Sequence, residues 1–565
     1  MYKILAKICI IFSIPLIFAF PAFAERNLDH TATTPVYKVA GQGAPGIETG
    51  KTVTLQGVVT GSFLQDCGLD GFFIQGEELA PDDLPAGLFI YTPDLDRQAK
   101  KTIRKGQILR IKGKSGEFKG RPQLEQVRAI SIQGNKKVKP VQVQMPLERG
   151  NRWEGVKVSF DQELTVTDNY ELKKYGSLEL AAGGRAFQPA NFPSGKGKRC
   201  SGRKDKTIVL DDGCYSRDPD PIPYLNSRET LRVGTTVKKG LTGILTQAFS
   251  AWRIHPTEKP RFKKSNPRPG PLAKPKQGCL RVAVTNMHSY FLTLGDRGAK
   301  NKQELKIQQD KLLAAVTNIH PDILVLLEMQ NRDKVSKNFL AHLQKTTQNP
   351  WRLVQSRNSQ ENKLRISLAY RKDRVKQPGR GKKDFSQAHD RPPLIARFKP
   401  RGKEGKAFAI AAVHFKSKGN CPQDGDVDSG QGCWNKRRKD QARHLLEFIR
   451  KWRKENSKLP VLLAGDLNAY AAEEPVRILK DSGKKDLLAK HIPRRQRYTY
   501  IYSGKSGYLD YFLASPKLAK KTCRVFAYHI NADEPHFLGY KGDYADSSPY
   551  RSSDHDPIVV DLEFK

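Results

Sequence analysis

A histidine flanked by two carboxylates, within residues 553–557, is the strongest sign of chemistry in this sequence. His555 follows Asp554 and precedes Asp556, just before the apolar run 558–560. A carboxylate next to a histidine can orient the ring and stabilise its charged form, as a general acid or base requires. Because Asp and Ser are also common in solvated turns, this segment alone leaves a plain surface turn open.

Polar residues also follow the apolar runs of the C-terminal half, at the points where those runs end. In chain order these residues are Asn286, Glu328, His414, Asp466 and Asn468. A further apolar run, 509–513, contains Asp510. If the strands lie in packed sheets whose ends meet at one rim, that rim holds carboxylates, amides and imidazoles. Such a set supplies an oxygen ligand for Mg²⁺, a group that activates water and donors to a charged phosphorane, so it predicts metal-assisted phosphodiester hydrolysis.

The elements that must position these residues alternate between apolar strands and amphipathic helices. Leu305, Leu312 and Val316 fall on one helical face, and Leu445 and Ile449 fall on another. The pattern predicts a third and largest domain at residues 279–565.

The N-terminal half has a different pattern, with short β-rich runs and little helical periodicity. Runs broken by Gly, Asp and Pro predict a small β-barrel at residues 37–135. Similar runs separated by turn signals predict a second β-rich domain at residues 141–258. Residues 259–278 hold five prolines among lysines and arginines, which predicts a stiff basic linker.

The first residues have the order of a secretory signal: two lysines, the apolar run 8–20, then the small residues Ala22 and Ala24. This order predicts a signal peptide at residues 1–24 and a secreted protein, extracellular or periplasmic. The apolar run is short for a bilayer span, and an uncleaved anchor is the alternative. We expect no other transmembrane anchor.

The formal net charge of the 565-residue chain is +41, with 38% hydrophobic residues. That hydrophobic fraction is ordinary, so the charge does not mark a disordered tail. An excess of Lys and Arg favours a polyanionic partner, DNA or RNA first, through phosphate neutralisation and counterion release. Adsorption to anionic cell surfaces is the alternative, and the two are compatible. We expect no obligate protein partner, and the oligomeric state is open.

Seven of the eight cysteines lie beyond the predicted signal peptide, and export permits disulfides. Two close pairs each bracket a Gly- and Asp-rich loop, and we expect them to form local bridges. They are Cys200 with Cys214 and Cys421 with Cys433. Cys279 with Cys523 is a further option, whereas no CxxC spacing indicates a zinc site. Because seven is odd, at least one thiol stays free or pairs between chains.

Seven segments of the third domain occur in an order known from one enzyme superfamily. They are LRVAVTNMHSYF at 280–291, ILVLLE at 323–328, RPPLIARF at 391–398, VHFKSKG at 413–419, GDLNAY at 465–470, LDYFLAS at 509–515 and RSSDHDP at 551–557. Together they resemble the endonuclease/exonuclease/phosphatase superfamily, which includes deoxyribonuclease I and the abasic-site endonucleases. HFKSKG, QGCWN at 431–435 and HINADEP at 529–535 resemble its branch of secreted bacterial extracellular endonucleases.

The resemblance implies an α+β protein with a four-layer α/β-sandwich of the deoxyribonuclease I type at its C-terminal end. In the N-terminal half, GFFIQ at 71–75 resembles the oligonucleotide-binding-type β-barrel that precedes the sandwich in that branch. The second β-rich block then lies between barrel and sandwich.

The resemblance also implies roles for individual residues. Glu328 resembles the principal metal ligand, with Asp554 and Asn286 shaping the metal and water network. His555 resembles the acid/base histidine, and Asp510 the carboxylate that orients its ring. The implied cofactor is Mg²⁺, with Mn²⁺ or Ca²⁺ as alternatives.

Three more residues complete the implied site. Asp466 positions or deprotonates the attacking water, while Asn468 and His414 donate to the scissile phosphate. Two positions near His414 depart from the pattern, because Val413 stands where Asn is usual and Asn362 where Asp is expected. These changes weaken the support of His414, for which Glu361 is an alternative partner.

Three cations beside the expected cleft are candidates for contacting the nucleic-acid backbone, with plain surface solvation as the alternative. They are Lys416, Lys418 and Arg438.

The sequence therefore predicts a secreted, divalent-metal-dependent endonuclease that cuts extracellular DNA, with RNA as an additional substrate. One alternative keeps the fold and acts on lipid or inositol phosphates. Another is a non-catalytic DNA-binding matrix protein. The net charge of +41 favours nucleic acid over lipid, and the presence of Glu328, Asp466 and His555 argues against a decayed site.

Overall fold

The structure is a computed structural model of a mixed α/β protein. It describes residues 28, 32–42, 46–148, 150–192, 206–225, 230–357, 363–402, 406–456 and 458–564. The predicted signal peptide at residues 1–24 lies outside the described residues. Within the described ranges, no helix combines the length and the apolar character needed to cross a membrane.

A closed five-stranded β-barrel forms the N-terminal part of the described chain. Its elements are α1 (Val36–Ala40), β1 (Thr52–Phe63), β2 (Gly71–Gly76), β3 (Gly87–Tyr91), α2 (Arg97–Thr102), β4 (Gln107–Phe118) and β5 (Arg121–Asn135). The strands follow the order β1-β2-β3-β5-β4, and β4 pairs back onto β1. Alternate residues of β4 fill the interior, where Leu109 and Ile111 are fully buried. The oligonucleotide-binding type of this barrel stays a prediction.

A nine-stranded sheet follows the barrel. Its elements are β6 (Val141–Val143), β7 (Lys157–Phe160), β8 (Leu164–Asp168), α3 (Leu172–Tyr175), β9 (Leu178–Ala182), β10 (Thr207–Leu210), β11 (Thr236–Val237), β12 (Leu241–Ala248), β13 (Ala251–Pro256) and β14 (Phe262–Lys263). In space the order is β14-β11-β8-β9-β10-β13-β12-β7-β6. Phe63 and Phe73 of the barrel pack with Ile244 of this sheet in one small buried cluster. The two β-rich parts therefore share apolar contacts.

A disulfide between Cys67 and Cys214 ties the barrel to the nine-stranded sheet. The predicted local bridge between Cys200 and Cys214 is therefore wrong, because Cys214 has a partner 147 residues away along the chain. The fold brings the two loops together, and the backbone N–H of Tyr215 donates to the Cys67 carbonyl at 2.8 Å. Cys200 itself lies outside the described residues.

The segment predicted as a linker, residues 259–278, is held in place at two points. β14 pairs with β11, so the nine-stranded sheet extends past residue 258. The Arg268 guanidinium donates to both carboxylate oxygens of Glu534, at 2.9 and 2.8 Å. Backbone pairing and a buried acceptor thus hold the stretch that was predicted as a stiff basic linker.

Two facing sheets form the C-terminal part of the structure. Their strands are β15 (Cys279–Tyr290), β16 (Ile323–Gln330), β17 (Trp351–Leu353), β18 (Leu364–Arg371), β19 (Val375–Lys376), β20 (Lys382–Lys383), β21 (Leu394–Pro400), β22 (Phe408–His414), β23 (Val461–Asp466), β24 (Lys485–Asp486), β27 (Asp510–Ala514), β28 (Thr522–Ala527) and β29 (Ile558–Glu563), with β25 (Tyr500–Tyr502) and β26 (Lys505–Gly507) in a separate hairpin. One sheet has the order β17-β18-β16-β15-β29-β28. The other has the order β19-β21-β22-β23-β27-β24, with β20 on β21.

Helices cover the outer faces of both sheets. They are α4 (Lys302–Ile319), α5 (Asp333–Thr347), α6 (Asn435–Glu455), α7 (Glu474–Asp481), α8 (Leu487–His491) and α9 (Pro516–Ala519). Successive residues of β15 show the arrangement, since Val282 faces the core between the sheets and Ala283 faces α4 and α5. Both faces of each sheet are therefore buried, which explains the continuous apolar runs and confirms the predicted four-layer α/β-sandwich.

Cys421 and Cys433 form the predicted local disulfide. Cys279 and Cys523 carry free thiols whose Sγ atoms are 3.0 Å apart. We expect mild oxidation by oxidised glutathione to join them, with the two thiols losing two hydrogen atoms while glutathione disulfide is reduced. Intact-mass measurement before and after oxidation checks this, and a Cys523→Ser variant must show no such loss. An unchanged mass in the wild-type protein would contradict the prediction.

Glu154 couples the stability of the β-rich part to pH. It accepts a hydrogen bond from the Gln247 backbone at 2.7 Å, and burial raises its pKa from 4.5 to about 7. The folded protein thus binds the proton more tightly than the unfolded chain, so this group's contribution to stability falls as pH rises from 4.5 to about 7. We expect Glu154→Gln to match the wild type below pH 4.5 and to exceed its stability by about 1–2 kcal/mol at pH 8. Unfolding in urea at both pH values measures the difference, and a pH-independent difference would refute it.

Candidate active site

Strand pairing places three predicted site residues side by side. His414, the last residue of β22, pairs with Asp466, the last residue of β23. Asp466 pairs in turn with Asp510, the first residue of β27. Because β22 and β23 are parallel and β27 is antiparallel to them, two strands end and one begins at the same edge. The register alone therefore builds a row of one imidazole and two carboxylates.

His555 reaches this row from the other sheet, through the loop that leads into β29. Its Nδ1 lies 2.8 Å from Oδ2 of Asp510, which also accepts from the Thr499 hydroxyl at 2.7 Å. Burial by itself lowers the pKa of His555, but the carboxylates of Asp510, Asp554 and Asp466 outweigh it and raise that pKa well above its usual value. His555 is therefore a charged imidazolium whose Nδ1–H is fixed by Asp510.

Asp466 is a buried carboxyl held in one orientation. Its Oδ1 accepts from the backbone N–H of Asn468 at 2.7 Å, and its Oδ2 accepts from Nδ2 of Asn468 at 2.9 Å. Burial raises its pKa to about 7, while the His555 charge opposes that rise. Nδ2 of Asn468 also donates to the Phe415 carbonyl at 3.1 Å, so both of its hydrogens are engaged. Asn468 thus orients Asp466 here, and its predicted donation to a phosphate requires one of these bonds to break.

His414 lies next to Asp466 as a neutral imidazole. Its Nε2 is 3.5 Å from Oδ2 of Asp466. Burial, followed by the positive charges of Arg391 and His555, lowers its pKa well below the usual value. Its Nδ1 is buried without a hydrogen-bond partner among the described residues, which agrees with the loss of the usual polar neighbour at Val413. The alternative supports, Glu361 and Asn362, lie outside the described residues.

Glu328 is held at a bend in β16. Its backbone is left-handed, with φ of 58°, and the pairing of β16 with β18 shifts register at this point. Oε1 accepts from Nδ2 of Asn286 at 3.0 Å, and Oε2 accepts from the backbone N–H of Ser289 at 3.1 Å. His288 and Ser289 in β15 also have positive φ, of 49° and 55°. Paired irregularities in neighbouring strands therefore turn a carboxylate out of a wholly apolar strand, as bulges beside active sites commonly do.

Asp554 is linked to Glu328 through two polar side chains. The Ser553 hydroxyl lies 3.3 Å from Oδ1 of Asn286 and 3.3 Å from Oδ1 of Asp554. Burial raises the pKa of Asp554, but the nearby positive groups His288, His555 and Arg551 together lower it to about 2. Asp554 is therefore an ionised carboxylate at neutral pH.

Two sets of residues in this cleft have the chemistry to hold a divalent cation. Asp466, Asp510 and His555 place one ligand atom each within 4.8 Å of one another. In this set Nδ1 of the imidazole is already hydrogen-bonded to Asp510 at 2.8 Å, so this atom is not available to hold an ion. Glu328 and Asp554 offer carboxylate oxygens, which Mg²⁺ prefers, and hydrogen bonds already fix their surroundings. The oxygen pair therefore fits the predicted metal better than the histidine set.

Two further residues belong to the site but were not assigned from sequence. Burial lowers the pKa of Arg391, and the nearby charges of Glu328 and Asp466 oppose that lowering. The guanidinium donates to the Phe415 carbonyl at 2.8 Å, which fixes its position. His288 lies beside Asp554 and packs against the Tyr540 ring at 5.4 Å. The sequence had one feature that could have identified Arg391 as a site residue: like His555, it lies just before an apolar strand.

The three candidate backbone-binding cations differ in their surroundings. Arg438 is fully buried, and Nη1 donates to the Cys433 carbonyl at 2.8 Å, so it stabilises the disulfide loop and does not face solvent. Lys418 pairs with the buried Glu473 carboxylate. Lys416 is half-buried with Nζ 4.7 Å from the Trp434 ring centre. The structure therefore removes Arg438 from the nucleic-acid contacts and leaves Lys416 as the most accessible of the three.

Comparison with known proteins finds one matching family and several similar solved structures. Residues 286–555 match the model of the Endonuclease/Exonuclease/phosphatase family, a range that contains every predicted catalytic and metal-ligating residue. Similar solved structures include the human Nocturnin catalytic domain (18% identity, 52% of this chain and 96% of that chain, TM-score 0.34). Truncated TDP2 of Caenorhabditis elegans is a further example (16% identity, 50% of this chain and 98% of that chain, TM-score 0.36). Another is the mannosyl-6-phosphatase Bt3783 of Bacteroides thetaiotaomicron (14% identity, 50% of this chain and 100% of that chain, TM-score 0.35). No curated protein matches the sequence. Residues 286–555 of this chain thus match the family that the motifs of its C-terminal part resemble.

Proposed function

We propose that this protein is a secreted, divalent-metal-dependent endonuclease that hydrolyses phosphodiester bonds of extracellular DNA, with RNA as an additional substrate. The proposal is carried by one observation: Asp466, Asp510 and His555 meet within 4.8 Å at the edge of two facing sheets. Beside them, Glu328 and Asn286 are hydrogen-bonded to each other at 3.0 Å.

Asp466 is the group placed to take a proton from the attacking water. A carboxyl with a pKa of about 7 is a stronger base than an ordinary aspartate and is still ionised in good part at neutral pH. Asn468 fixes both carboxylate oxygens, so the orientation is set before substrate binds.

His555 has the complementary role of proton donor. Asp510 holds Nδ1–H, which leaves Nε2–H as the proton available to a phosphate oxygen or to the leaving oxygen. Until it gives up that proton, the imidazolium charge also stabilises the additional negative charge of a phosphorane. Asp466 and His555 thus have the divergent protonation states that general base and general acid require.

Glu328 and Asp554 are the residues that would hold the metal ion. A divalent cation there supplies Lewis-acid stabilisation of the scissile phosphate. Asn286 and Ser289 hold the Glu328 carboxylate by hydrogen bonds, and Ser553 holds Asp554. Arg391, close enough to Glu328 to feel its charge, adds a fixed positive charge for the substrate phosphate.

The barrel is proposed to be of the oligonucleotide-binding type and to aid substrate capture. Support comes from the β4–β5 turn, where Phe118 is 50% exposed. The Lys119 Nζ and the Arg121 guanidinium lie 5.2 and 5.7 Å from its ring centre. An exposed aromatic ring between two cations suits a base stacked beside its phosphates.

Net charge distinguishes nucleic acid from the other substrates of the same fold. A charge of +41 attracts a polyanion, whereas enzymes acting on lipids need an exposed apolar element for the membrane. Large exposed apolar residues of the described sandwich, such as Leu294, Phe385 and Val427, are single and scattered along the chain. Lipid or inositol phosphates therefore form the alternative substrate class.

A substrate panel tests the choice. Plasmid DNA, RNA, sphingomyelin vesicles and inositol hexakisphosphate are supplied with Mg²⁺ at equal phosphate concentration, and initial rates are compared. We expect cleavage of nucleic acid, DNA included, and no phosphocholine or inorganic phosphate above background. A faster reaction on the lipid or on the inositol phosphate would replace the proposed substrate with the alternative class.

A further inference from the structure

A cavity of about 750 Å³ lies between the nine-stranded sheet and the catalytic residues. One wall includes residues 168–171, at the end of β8 and in the turn after it, and residues 177–179, at the start of β9; the opposite wall comes from the sandwich and includes Asp554 and His288. Small-ligand sites usually measure roughly 300–1,000 Å³. The cavity therefore has room for a nucleotide and adjoins a proposed metal ligand, yet the roles assigned so far do not use it.

Buried ion pairs fix the two walls relative to each other. Asp533, in the loop that follows β28, is fully buried and accepts from Nη1 of Arg185 at 2.8 Å. Nδ2 of Asn266 and the Tyr498 hydroxyl donate to the same carboxylate, both at 2.8 Å. Arg232, from the nine-stranded-sheet region, pairs with the neighbouring Glu534. Because breaking a buried ion pair is costly, these pairs hold the two walls of the cavity at a fixed separation.

Two tyrosines with unusually exposed rings line the cavity from opposite walls. Tyr170 of the nine-stranded-sheet region is 58% exposed and Tyr502 of the hairpin is 63% exposed. The Tyr170 ring stacks on His536 at 4.5 Å, so one of its faces is held and the other is available. Exposed aromatic rings within a cavity are suitable platforms for stacking a nucleobase.

Charged residues of both signs line the wall of the nine-stranded sheet. Asp168, Glu171 and Glu179 lie there with Arg253, whose guanidinium is paired with Asp211. Oε2 of Glu171 is buried without a hydrogen-bond partner among the described residues. Carboxylates accept hydrogen bonds from the exocyclic amino groups of bases. The Glu171 carboxylate on this wall therefore suits the edge of a base.

The sandwich wall also has both signs of charge, because Glu534 and Asp554 line it. Arg551 and Lys541 line it together with His288, whose Nδ1 is buried and unpartnered among the described residues. Cationic and donor groups suit a phosphate. The two walls together therefore offer aromatic rings for the face of a base, a carboxylate for its edge and cations for its phosphate.

We propose that this cavity binds the base of one unpaired nucleotide adjacent to the scissile phosphate, with Tyr170 stacking on the base and Glu171 accepting from its amino group. The proposal rests on the proposed nuclease function and names its substrate more closely. A base inside a duplex has both faces stacked and its edge paired, so it must leave the helix to enter. The preferred substrate is accordingly single-stranded or locally unpaired nucleic acid.

Cleavage of two end-labelled single-stranded oligonucleotides of equal length tests this proposal. One carries bases throughout, and the other carries four consecutive tetrahydrofuran abasic nucleotides at its centre. We expect the wild-type KM for cleavage in the central segment to be about 10-fold lower when bases are present. Tyr170→Ala is expected to raise the KM for the base-containing segment by about 10-fold and to leave the abasic segment unchanged. Tyr170→Phe keeps the ring and is expected to restore the wild-type KM.

Tyr215→Ala is the matched control, because Tyr215 is 60% exposed but does not line the cavity. It is expected to behave as the wild type on both oligonucleotides. Equal KM for the two central segments in the wild type, or a Tyr170→Ala defect that is the same on both, would overturn the nucleobase pocket while leaving the nuclease function standing. Absence of any cleavage by the wild type would overturn the nuclease function itself.

Discussion

Replacing His555 by alanine is expected to lower kcat for DNA cleavage by about 10³-fold. The change removes the imidazole that Asp510 holds in place, at 2.8 Å, and removes the positive charge that lies against Asp466. Substrate binding depends on other residues, so KM is expected to change by less than about threefold. Initial rates of plasmid nicking across a range of DNA concentrations separate the two constants.

His342→Ala is a suitable control for that variant. His342 is exposed on α5, where its Nδ1 lies 3.0 Å from the Asn338 carbonyl, and it is remote in sequence from every predicted site residue. It is expected to retain wild-type kcat. A His555→Ala protein that melts like the wild type and keeps kcat within about threefold would refute the role given to this imidazole.

Removing the carboxylate of Asp561 is expected to destabilise the sandwich by about 3–5 kcal/mol. Asp561 and Arg281 are both fully buried, and Nε and Nη2 of Arg281 donate to the two carboxylate oxygens at 2.7 and 2.9 Å. In Asp561→Ala the Arg281 charge stays buried without its partner, because both lie on central strands between packed layers. Equilibrium unfolding in guanidinium chloride measures the loss.

Two comparison variants separate charge burial from general damage. Arg281→Met with Asp561→Leu removes the two buried charges and leaves Arg524, which also pairs with Asp561, on a side chain that is 27% exposed and can reach solvent. The double variant is expected to recover most of the stability lost in the single variant, since apolar side chains replace a buried pair at little cost. Glu455→Ala breaks the exposed pair with Lys382 and is expected to cost less than about 1 kcal/mol. A double variant as unstable as Asp561→Ala would contradict the explanation by an unpaired buried charge.

The residues at strand ends were the part of the site that the sequence could predict. Asn286, Glu328, His414 and Asp466 each follow an apolar run, and polar residues that end buried strands have few structural explanations. Parallel pairing then carries them to a common edge, as it does for His414 and Asp466. Their roles remain predictions, whereas their convergence is now a structural fact.

Contacts between distant segments could not be predicted in the same way. Cys214 bonds to Cys67 because the fold brings together two loops from separate sheets. The spacing of the cysteines along the chain does not indicate this contact. Arg438 looked like a surface cation on a basic helix, yet it is fully buried because its guanidinium serves the carbonyls of a neighbouring loop. Both errors arise where tertiary packing overrides a local pattern.

The participation of the nine-stranded sheet in the cleft was also invisible in the sequence. Tyr170 lies in a turn of a β-rich block, and only the packing of that block against the sandwich places it near Asp554. The ion pairs that fix this packing, such as Arg185 with Asp533, join residues 348 positions apart. Sequence patterns report local periodicity, so they cannot predict a cavity that is lined by two separate parts of the chain.

Nicking of supercoiled plasmid by the purified protein is the most direct test of metal-dependent phosphodiester hydrolysis. The reaction is followed with Mg²⁺, with Mn²⁺, with Ca²⁺ and with excess EDTA, and DNA binding is measured in parallel. We expect nicked and then linear DNA in at least Mg²⁺ and none in EDTA. DNA binding without nicking in any of the three metals would contradict the enzyme assignment and would favour a non-catalytic DNA-binding matrix protein.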